Sequence, residues 1–488
     1  MFHCSTVDQR VQWISQLLVD TRPHGLVSEL SRTNQVSRQT LYRWKEKGEQ
    51  ALHLALENTP ILAKPTMPIH LLVLTLLIET HASYRNIQAC LKKVHGIDIS
   101  LGSITSMIQQ AGQRAQKCLK HQQAQTPRSL ALDEQYSSQR GKAYLNVIDV
   151  HSGQVWATVP PVAVDGESWT LLWWYLQEQG LKSDCTVSDG GSAIHEALSQ
   201  LGCLESHQRD VWHVFQLASQ VQGRLDRALK QIEERLPVIQ RQAQRVALGQ
   251  KARGRAPKAD VIAHQALIKR MSYVADGVRY LLQELHTFLE VVVLSAHPQA
   301  SVLTSQARHA EIETVLVLLD ELEMQVSPAL QKEIQTLSKH LRLALPSVLL
   351  FARKLDVVQH LACEQLGSQA VHLLAWAWQR RAVLDLTTTD LAESVEPAWK
   401  GVAQTLFSAW ELAVRASSAV ENWHSIVRPH LAVHRTLSAG MLALLAVWHN
   451  HRIAPRGPHT GLSPLQRTDS TQPNSDWLAA LGYSAQAA

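Results

Sequence analysis

The spacing of hydrophobic residues changes twice along the chain and predicts three kinds of structure in succession. Up to about residue 125, apolar residues recur at the spacing of amphipathic helices. From Arg128, short β-prone runs alternate with glycine and polar residues. After about residue 216 the pattern is helical again, with heptad-like leucines and no convincing strand. The chain is therefore expected to be multidomain, with both all-α and α/β parts.

Residues 1–58 predict short helices joined by turns. Ser37 is a favourable N-cap, and Val36, Leu41 and Trp44 would form the inward face of the helix that follows it. The outward face is polar and basic, and consists of Arg38, Gln39, Tyr42, Arg43 and Lys45. This pattern is typical of a helix-turn-helix whose second helix enters the major groove of DNA. The alternative is a small helical bundle with another interaction role.

Residues 68–125 repeat the same arrangement. Ser83 would cap a helix that begins at Tyr84, and a turn at His95-Gly96 leads to a further helix that begins near Ser100. We expect a second helix-turn-helix-like module here, with the same alternative as for the first.

The segment 126–215 predicts strands and helices in the order β-β-β-α-β-α-β-α. The predicted strands are Ser129–Asp133, Ala143–Val150, Gln154–Val159, Asp184–Ser188 and Gln208–His213. The predicted helices are Asp165–Gln179, Gly190–Leu201 and one that begins at Phe215. This order is that of a ribonuclease-H-like domain.

The remaining boundaries follow from the helical pattern. Residues 216–410 would form a large all-α insertion, 411–452 the closing helices of the α/β domain, and 453–488 an extended, polar tail. Two basic stretches within the insertion, Arg241–Arg245 and Lys251–Lys258, suit contact with a phosphate backbone. A charge run is more often simply a solvated surface, so this alternative stays open.

Acidic residues stand at matching places in the predicted elements. Asp133 ends an apolar strand, Asp189 follows the next buried strand and precedes Gly190-Gly191, and Glu421 lies on a late helix. Divalent cations such as Mg²⁺ prefer carboxylate oxygen, and a pair of them can clamp the attacking and leaving oxygens of an in-line displacement. The pattern predicts that Asp133, Asp189 and Glu421 bind metal and catalyse the cutting and joining of DNA.

Other residues are weaker candidates for a site. Each acid taken alone would be an ordinary strand-end or helix acid, and Glu134 should point to the face opposite Asp133 because strand side chains alternate. Asp149 suits a turn. Cys203, His207 and His213 lack a fourth zinc ligand and a compact Cys-x-x-Cys knuckle.

Composition limits where in the cell the protein is expected, but it does not indicate an activity. The 488 residues carry a formal net charge of +5, which permits nucleic-acid binding without arguing strongly for it. The cysteines lie far apart with no Cys-x-x-Cys pair, the start lacks the features of a signal peptide, and the longest apolar run, Leu71 to Ile78, is too short to span a membrane. We expect a cytoplasmic protein.

The acids and their neighbours also match a known pattern. A Leu-x-x-Asp strand ends at Asp133, a Ser-Asp-Gly-Gly turn contains Asp189, and Glu421 is followed seven residues later by Arg428 on the same predicted helix. The segment Asp210–Val214 fits as well. In these respects the chain resembles the DDE transposases of bacterial insertion sequences. It departs from some relatives at Ser417, where they often carry arginine.

The resemblance implies a bacterial, nucleoid-associated enzyme with two Mg²⁺ ions, replaceable by Mn²⁺, held by Asp133, Asp189 and Glu421. Arg428 would hold a DNA phosphate, and His213 would orient a nucleophile or contact DNA, unless it is structural. The partners would be transposon-end duplex DNA, target DNA and a second copy of the chain, as a homodimer or larger assembly. The alternatives are a non-catalytic, transposase-derived regulator and a structure-specific nuclease of the same fold, such as a junction resolvase.

Overall fold

The structure, a computed structural model, describes residues 6–19, 25–57, 67–120, 128–250, 261–295, 302–457, 459–469 and 476–483. The basic stretch Lys251–Lys258 lies outside these residues. The chain divides into two compact units, one up to Met107 and one from Ile108 onward. Among the described residues, no helix has both the length and the apolar character needed to cross a bilayer.

The first unit is built of helices, as predicted. They are α1 (Val7–Leu18), α2 (Leu26–Asn34), α3 (Arg38–Glu57), α4 (Ile69–Glu79), α5 (Tyr84–His95) and the start of α6 (Leu101–Lys120). Ser37 begins α3, since its hydroxyl accepts the Thr40 N–H at 3.1 Å. The inward face is also as expected, because Leu41 is buried and the Trp44 ring stacks on Trp13 of α1 at a centroid distance of 6.2 Å.

Capping residues delimit the helices of the second predicted module. The Ser83 hydroxyl accepts the Asn86 N–H at 3.2 Å and begins α5. Gly96, with φ of +65°, ends α5 and donates its N–H to Lys92. Ser100 caps α6 through the Ser103 N–H. The helix, turn and helix expected in this stretch are therefore present.

The second unit contains a mixed five-stranded sheet with the strand order β3-β2-β1-β4-β5. The strands are β1 (Arg128–Tyr136), β2 (Lys142–Asp149), β3 (Val155–Ala163), β4 (Ser183–Ser188) and β5 (His207–Arg209). The strands β1, β2 and β3 pair antiparallel, whereas β4 lies parallel to both β1 and β5. Helices α7 (Gly166–Glu178) and α8 (Ser192–Gln200) connect the later strands.

The last predicted strand, Gln208–His213, is wrong beyond Arg209. Asp210 ends β5 and caps α9 (Val211–Ala247), because its carboxylate accepts the Trp212 N–H at 2.7 Å. His213 therefore lies in the first turn of a helix and not at a strand end. An apolar run beside an aspartate is compatible with a strand or with a helix capped by that aspartate, and here the capped helix forms.

Between α9 and the closing part of the α/β domain, most of the described residues are helical. They are α10 (Val261–Phe288), α11 (Ser305–Glu323), α12 (Pro328–Val348), α13 (Leu350–Leu366), α14 (Ser368–Arg380), α15 (Thr388–Ser394) and α16 (Lys400–Glu411). One hydrophobic core joins them. The buried Gln208 of β5 docks this layer on the sheet: its amide nitrogen donates to the Val348 carbonyl at 2.8 Å, and its oxygen accepts the Phe351 N–H at 2.8 Å.

The chain then returns to the sheet. Helix α17 (Ser418–His434) contacts β1 and β2, and α18 (Ala439–His451) contacts β3. The expected extended tail is wrong for part of the described residues, because α19 (Pro464–Thr468) and α20 (Trp477–Ala480) follow. Ser463 caps α19, and Trp477 is buried.

Candidate functional site

The two faces of β1 separate its apolar and acidic residues. Leu130 and Leu132 point into the core formed with α7 and α8. Because strand side chains alternate, Asp133 points to the opposite face, which α17 covers. Asp133 pairs in register with Asn146 of β2, and Asn146 pairs with Thr158 of β3. A row of polar side chains therefore crosses three strands of the sheet beneath α17.

Helix α17 brings Glu421 to this row. Potential ligand atoms of Asp133, Glu421 and His424 all lie within 4.8 Å of one another. Arg428 lies two turns further on, and its guanidinium donates to Glu421 Oε2 at 3.2 Å. Both partners in that ion pair are more than half exposed, so the pair contributes little stability and is open to exchange with another ligand.

Asp189 lies beyond this group, in the turn after β4. Its Oδ1 accepts the Gly191 N–H at 2.8 Å, and Gly190 takes a φ of +83° that favours glycine. The charge of Asp189 nevertheless acts on Asp133. The predicted acids thus share one electrostatic environment, although the closest contacts are made by Asp133, Glu421 and His424.

Burial raises the pKa of Asp133 to about 7. The Glu134 N–H, which donates to Asp133 Oδ1 at 2.7 Å, opposes this shift, and the charges of Asp189, Glu421 and Glu134 add to it. Carboxylates that surround a desolvated carboxylate repel it, and this repulsion costs folding free energy unless a positive charge compensates it. The arrangement therefore suits a cation.

His424 was not among the residues predicted from the sequence. It is buried, and burial lowers its pKa to about 4, so its ring is neutral near pH 7. Asn146 determines which ring nitrogen carries the proton. The Asn146 Oδ1 accepts the Trp423 indole N–H at 2.9 Å and the Thr158 hydroxyl at 2.9 Å, so its amide N–H₂ faces His424 Nε2, 3.1 Å away.

An amide nitrogen can only donate, so His424 Nε2 accepts and the ring proton lies on Nδ1. Nδ1 is the nitrogen that faces Asp133, at 3.8 Å from Oδ2. A protonated nitrogen offers no lone pair to a metal. We infer that His424 presents an N–H group to Asp133, and that the ligands available to a metal are carboxylate oxygens.

A second buried contact fixes the start of α17. Asp210 Oδ2 accepts both the backbone N–H of Ser417, at 2.9 Å, and the Ser417 hydroxyl. The Val211 N–H donates to the Arg415 carbonyl at 2.9 Å. Ser417, the departure from the transposase pattern, therefore holds the helix of Glu421 to the end of β5.

The other residues predicted to contact DNA lie on two helices, α3 and α9. Arg38, Gln39, Tyr42 and Arg43 are exposed on α3, whereas Lys45 is half-buried and pairs with Glu49 at 3.1 Å. His213 is half-buried in α9 and lines a cavity that also contains Asp189.

The weaker candidates have other partners. Glu134 accepts the Trp169 indole N–H at 2.8 Å, on the face opposite Asp133 as expected. Asp149 accepts the Ser152 N–H at 2.7 Å within a turn, also as expected. Both ring nitrogens of His207 contact hydroxyls, those of Thr186 and Ser188, which argues against a zinc site there.

The residues missed from the sequence had partial signals. His424 follows Glu421 by three residues, so the two lie on one helix face, and this spacing was visible. Asn146 was not identifiable, because its role depends on the register of β2 against β1 and on a helix that lies 278 residues away at His424.

Comparison with models of known protein families matches none of them, and no curated protein is significantly similar to the chain. The likeness to DDE transposases therefore rests on the residues quoted above.

Proposed function

We propose that the protein is a DNA transposase of the DDE type, and that its α/β domain is ribonuclease-H-like. One observation carries the proposal: a desolvated aspartate on the central strand faces a glutamate from the closing helix, with a further aspartate at the end of the neighbouring parallel strand. The strand order β3-β2-β1-β4-β5, antiparallel and then parallel, agrees with that fold. The large helical layer between Asp189 and Glu421 agrees with an interrupted catalytic domain.

We propose that the site holds two Mg²⁺ ions. Asp133, Asp189 and Glu421 would hold them, and the oxygen-only donor set left by the His424 tautomer suits a hard cation such as Mg²⁺ or Mn²⁺. Such ions activate a water or DNA 3′-hydroxyl and stabilise the leaving oxygen. The Nδ1–H of His424 faces Asp133 Oδ2 at 3.8 Å, which is longer than a hydrogen bond, so His424 acts on Asp133 only as a nearby N–H dipole. Arg428 is suited to exchange its exposed contact with Glu421 for a DNA phosphate.

The partners in this proposal are transposon-end duplex DNA and target DNA. The exposed polar face of α3 supports end recognition, and the half-buried His213 is a candidate DNA contact beside Asp189. Joining two ends to one target requires two active sites, so we propose a homodimer or larger assembly on DNA.

Strand joining tests the proposal. The substrate is a duplex that ends in the inverted repeat flanking the reading frame, with supercoiled plasmid as the target and Mg²⁺ as the cofactor. Asp133→Asn, Asp189→Asn and Glu421→Gln should each lower joining by orders of magnitude while end binding persists, because each removes a ligand charge. Asp184→Asn is the matched control, since Asp184 lies at the other end of β4 and accepts the Ser129 hydroxyl.

Three outcomes separate the alternatives. Joining that depends on all three acids supports a transposase. Cleavage of branched DNA without joining would instead indicate a structure-specific nuclease. Tight binding of end DNA with no cleavage in Mg²⁺ would indicate a regulator.

A further inference from the structure

A small cavity lies beside Asp189, where the sheet meets the helical layer. Its volume is about 160 Å³, and its lining includes Asp189, Arg209, His213 and His340. Pockets for drug-sized ligands run from roughly 300 to 1,000 Å³, so this cavity is too small for one. A water takes up roughly 30 Å³, so a phosphate group with a few waters fits.

Arg209 is the half-buried cation of this cavity, and no hydrogen bond or ion pair engages its guanidinium within the described part of the chain. Its guanidinium lies directly over Gly190: a Cβ at that position would stand 2.6 Å from Arg209 Nε. Because Gly190 has no side chain, the guanidinium of Arg209 has room to lie against the turn that carries Asp189.

The nearby carboxylates have other partners, and none of them forms an ion pair with Arg209 among the described residues. Asp210 uses Oδ1 for the Trp212 N–H and Oδ2 for Ser417. Asp189 uses Oδ1 for the Gly191 N–H and, in the proposed function, its remaining oxygen for a metal. Arg209 therefore keeps its donors for a ligand that enters the cavity.

His340 comes from the helical layer, and the sheet fixes its position. Helix α12, which carries it, contacts β5 and α9, and Gln208 bonds the end of α12 to β5. The layer is thus docked so that one of its exposed side chains faces the same cavity as Arg209.

We propose that Arg209 and His340 bind a backbone phosphate of the DNA strand adjacent to the scissile bond, and that α12 thereby contributes to the active site. The proposal rests on the proposed function for the identity of the ligand. A guanidinium offers a planar fork of donors that matches phosphate oxygens, and the imidazole adds a further donor or a water-mediated contact. Such a site would recognise the DNA backbone and not the base sequence.

The first test uses the full chain, the end duplex and single methylphosphonate substitutions at each phosphate within a few nucleotides of the joining end. Arg209→Gln should slow joining by about 10- to 100-fold and His340→Ala by about 3- to 10-fold, as expected for lost hydrogen bonds to a charged group. Lys339→Gln, which removes a full charge from the same exposed part of α12, is the control and should change joining by less than about twofold.

The methylphosphonate scan identifies the partner. At one phosphate, neutralisation should slow the wild-type protein but cause no further loss in Arg209→Gln. Three results would each overturn the proposal while leaving the transposase assignment intact. The first is that the effects of methylphosphonate and of Arg209→Gln on joining add at every phosphate. The others are unchanged joining by Arg209→Gln and an equal loss of joining in Lys339→Gln.

If the wild-type protein joins no DNA, the proposed function fails, and a DNA-binding measurement then tests the phosphate site by itself. The probe is a short duplex of arbitrary sequence in Ca²⁺, titrated across a range of salt concentrations. Loss of one phosphate contact in Arg209→Gln should lower the slope of log affinity against log salt by about 0.9. A slope equal to that of the wild-type protein would contradict the phosphate site.

Discussion

At the scale of single residues, one buried amide determines the chemistry of a neighbouring ring. Asn146 accepts from Trp423 and Thr158 on one side and so presents its N–H₂ group to His424 on the other. Without that amide, either tautomer of His424 would be available, and one of them would offer a nitrogen lone pair to a metal.

We expect Asn146→Ala to lower the free energy of unfolding by about 1–3 kcal/mol, because it leaves the buried Trp423 N–H without an acceptor. The variant should also populate the Nε2–H tautomer of His424. Histidine-selective ¹⁵N NMR measures the tautomer, with the signal assigned by its disappearance in His424→Gln. An Nε2–H tautomer in the wild-type protein would contradict this account.

Asp133 gives the site a dependence on pH and metal. Its pKa of about 7 in the folded chain exceeds the ordinary 3.8, so the folded state binds the proton more tightly and loses stability as pH rises from about 4 to about 7. In EDTA at pH 8, Asp133→Asn should be more stable than the wild-type protein, by an amount on the order of 2–4 kcal/mol.

Urea unfolding at pH 8 and pH 5, with and without Mg²⁺, measures this difference. The advantage of Asp133→Asn should shrink at pH 5, and Mg²⁺ should stabilise the wild-type protein more than the variant. Equal stabilisation of both proteins by Mg²⁺ would separate Asp133 from the metal site.

At the scale of elements, alternation and capping residues were sufficient to predict most strands and helices. Leu130, Leu132 and Asp133 show why: apolar and acidic side chains alternate, and the structure places them on opposite faces of β1. The end of β5 was mispredicted because the residues that follow Asp210 suit either a strand or a capped helix, and the contact of Asp210 with the distant Ser417 gives no local signal.

The candidate site was predictable only in part, because some of its contacts also join residues that are distant in sequence. The acids carry local signals, since each ends or begins an element. The contacts of Asn146, His424 and Arg209 join residues far apart in sequence, and they depend on strand register and on how the helical layer docks. No local pattern encodes such contacts.

Helix α3 gives a graded prediction for DNA binding. Arg38→Ala or Arg43→Ala should weaken binding of end duplex by about 1–3 kcal/mol if either reads a base. Lys45→Ala should weaken it less, because Lys45 already pairs with Glu49. Fluorescence anisotropy with end duplex and scrambled duplex measures both the affinity and its specificity. Equal losses for all three variants would indicate general charge attraction and not a recognition helix.

At the scale of the whole molecule, buried neutral histidines set the acid limit of stability. Burial lowers the pKa of His207, His424 and His449 to about 4. The unfolded chain, with an ordinary histidine pKa near 6.5, binds more protons in this range. Each histidine therefore contributes stability that is present above about pH 6.5 and is lost as pH falls towards 4.

Thermal unfolding in EDTA between pH 7.5 and pH 4.5 checks this expectation. The free energy of unfolding should fall with decreasing pH, by an amount on the order of 1–3 kcal/mol for each histidine, partly offset by Asp133. His449→Gln, which can still donate to the Gly153 carbonyl, should lose less stability over the same range. An identical pH dependence in that variant would contradict the role of His449.

The contact between Asp210 and Ser417 joins residues that are 207 positions apart in sequence, at the two boundaries of the helical layer. During synthesis the sheet, with Asp133 and Asp189, leaves the ribosome long before Glu421. If the helical layer folds as it emerges, it brings its own ends together and shortens the loop that α17 must close. A nascent or prematurely terminated chain that stops before Glu421 lacks one of the three carboxylates, so the proposed cutting centre is completed only after the whole helical layer and the start of α17 have been made.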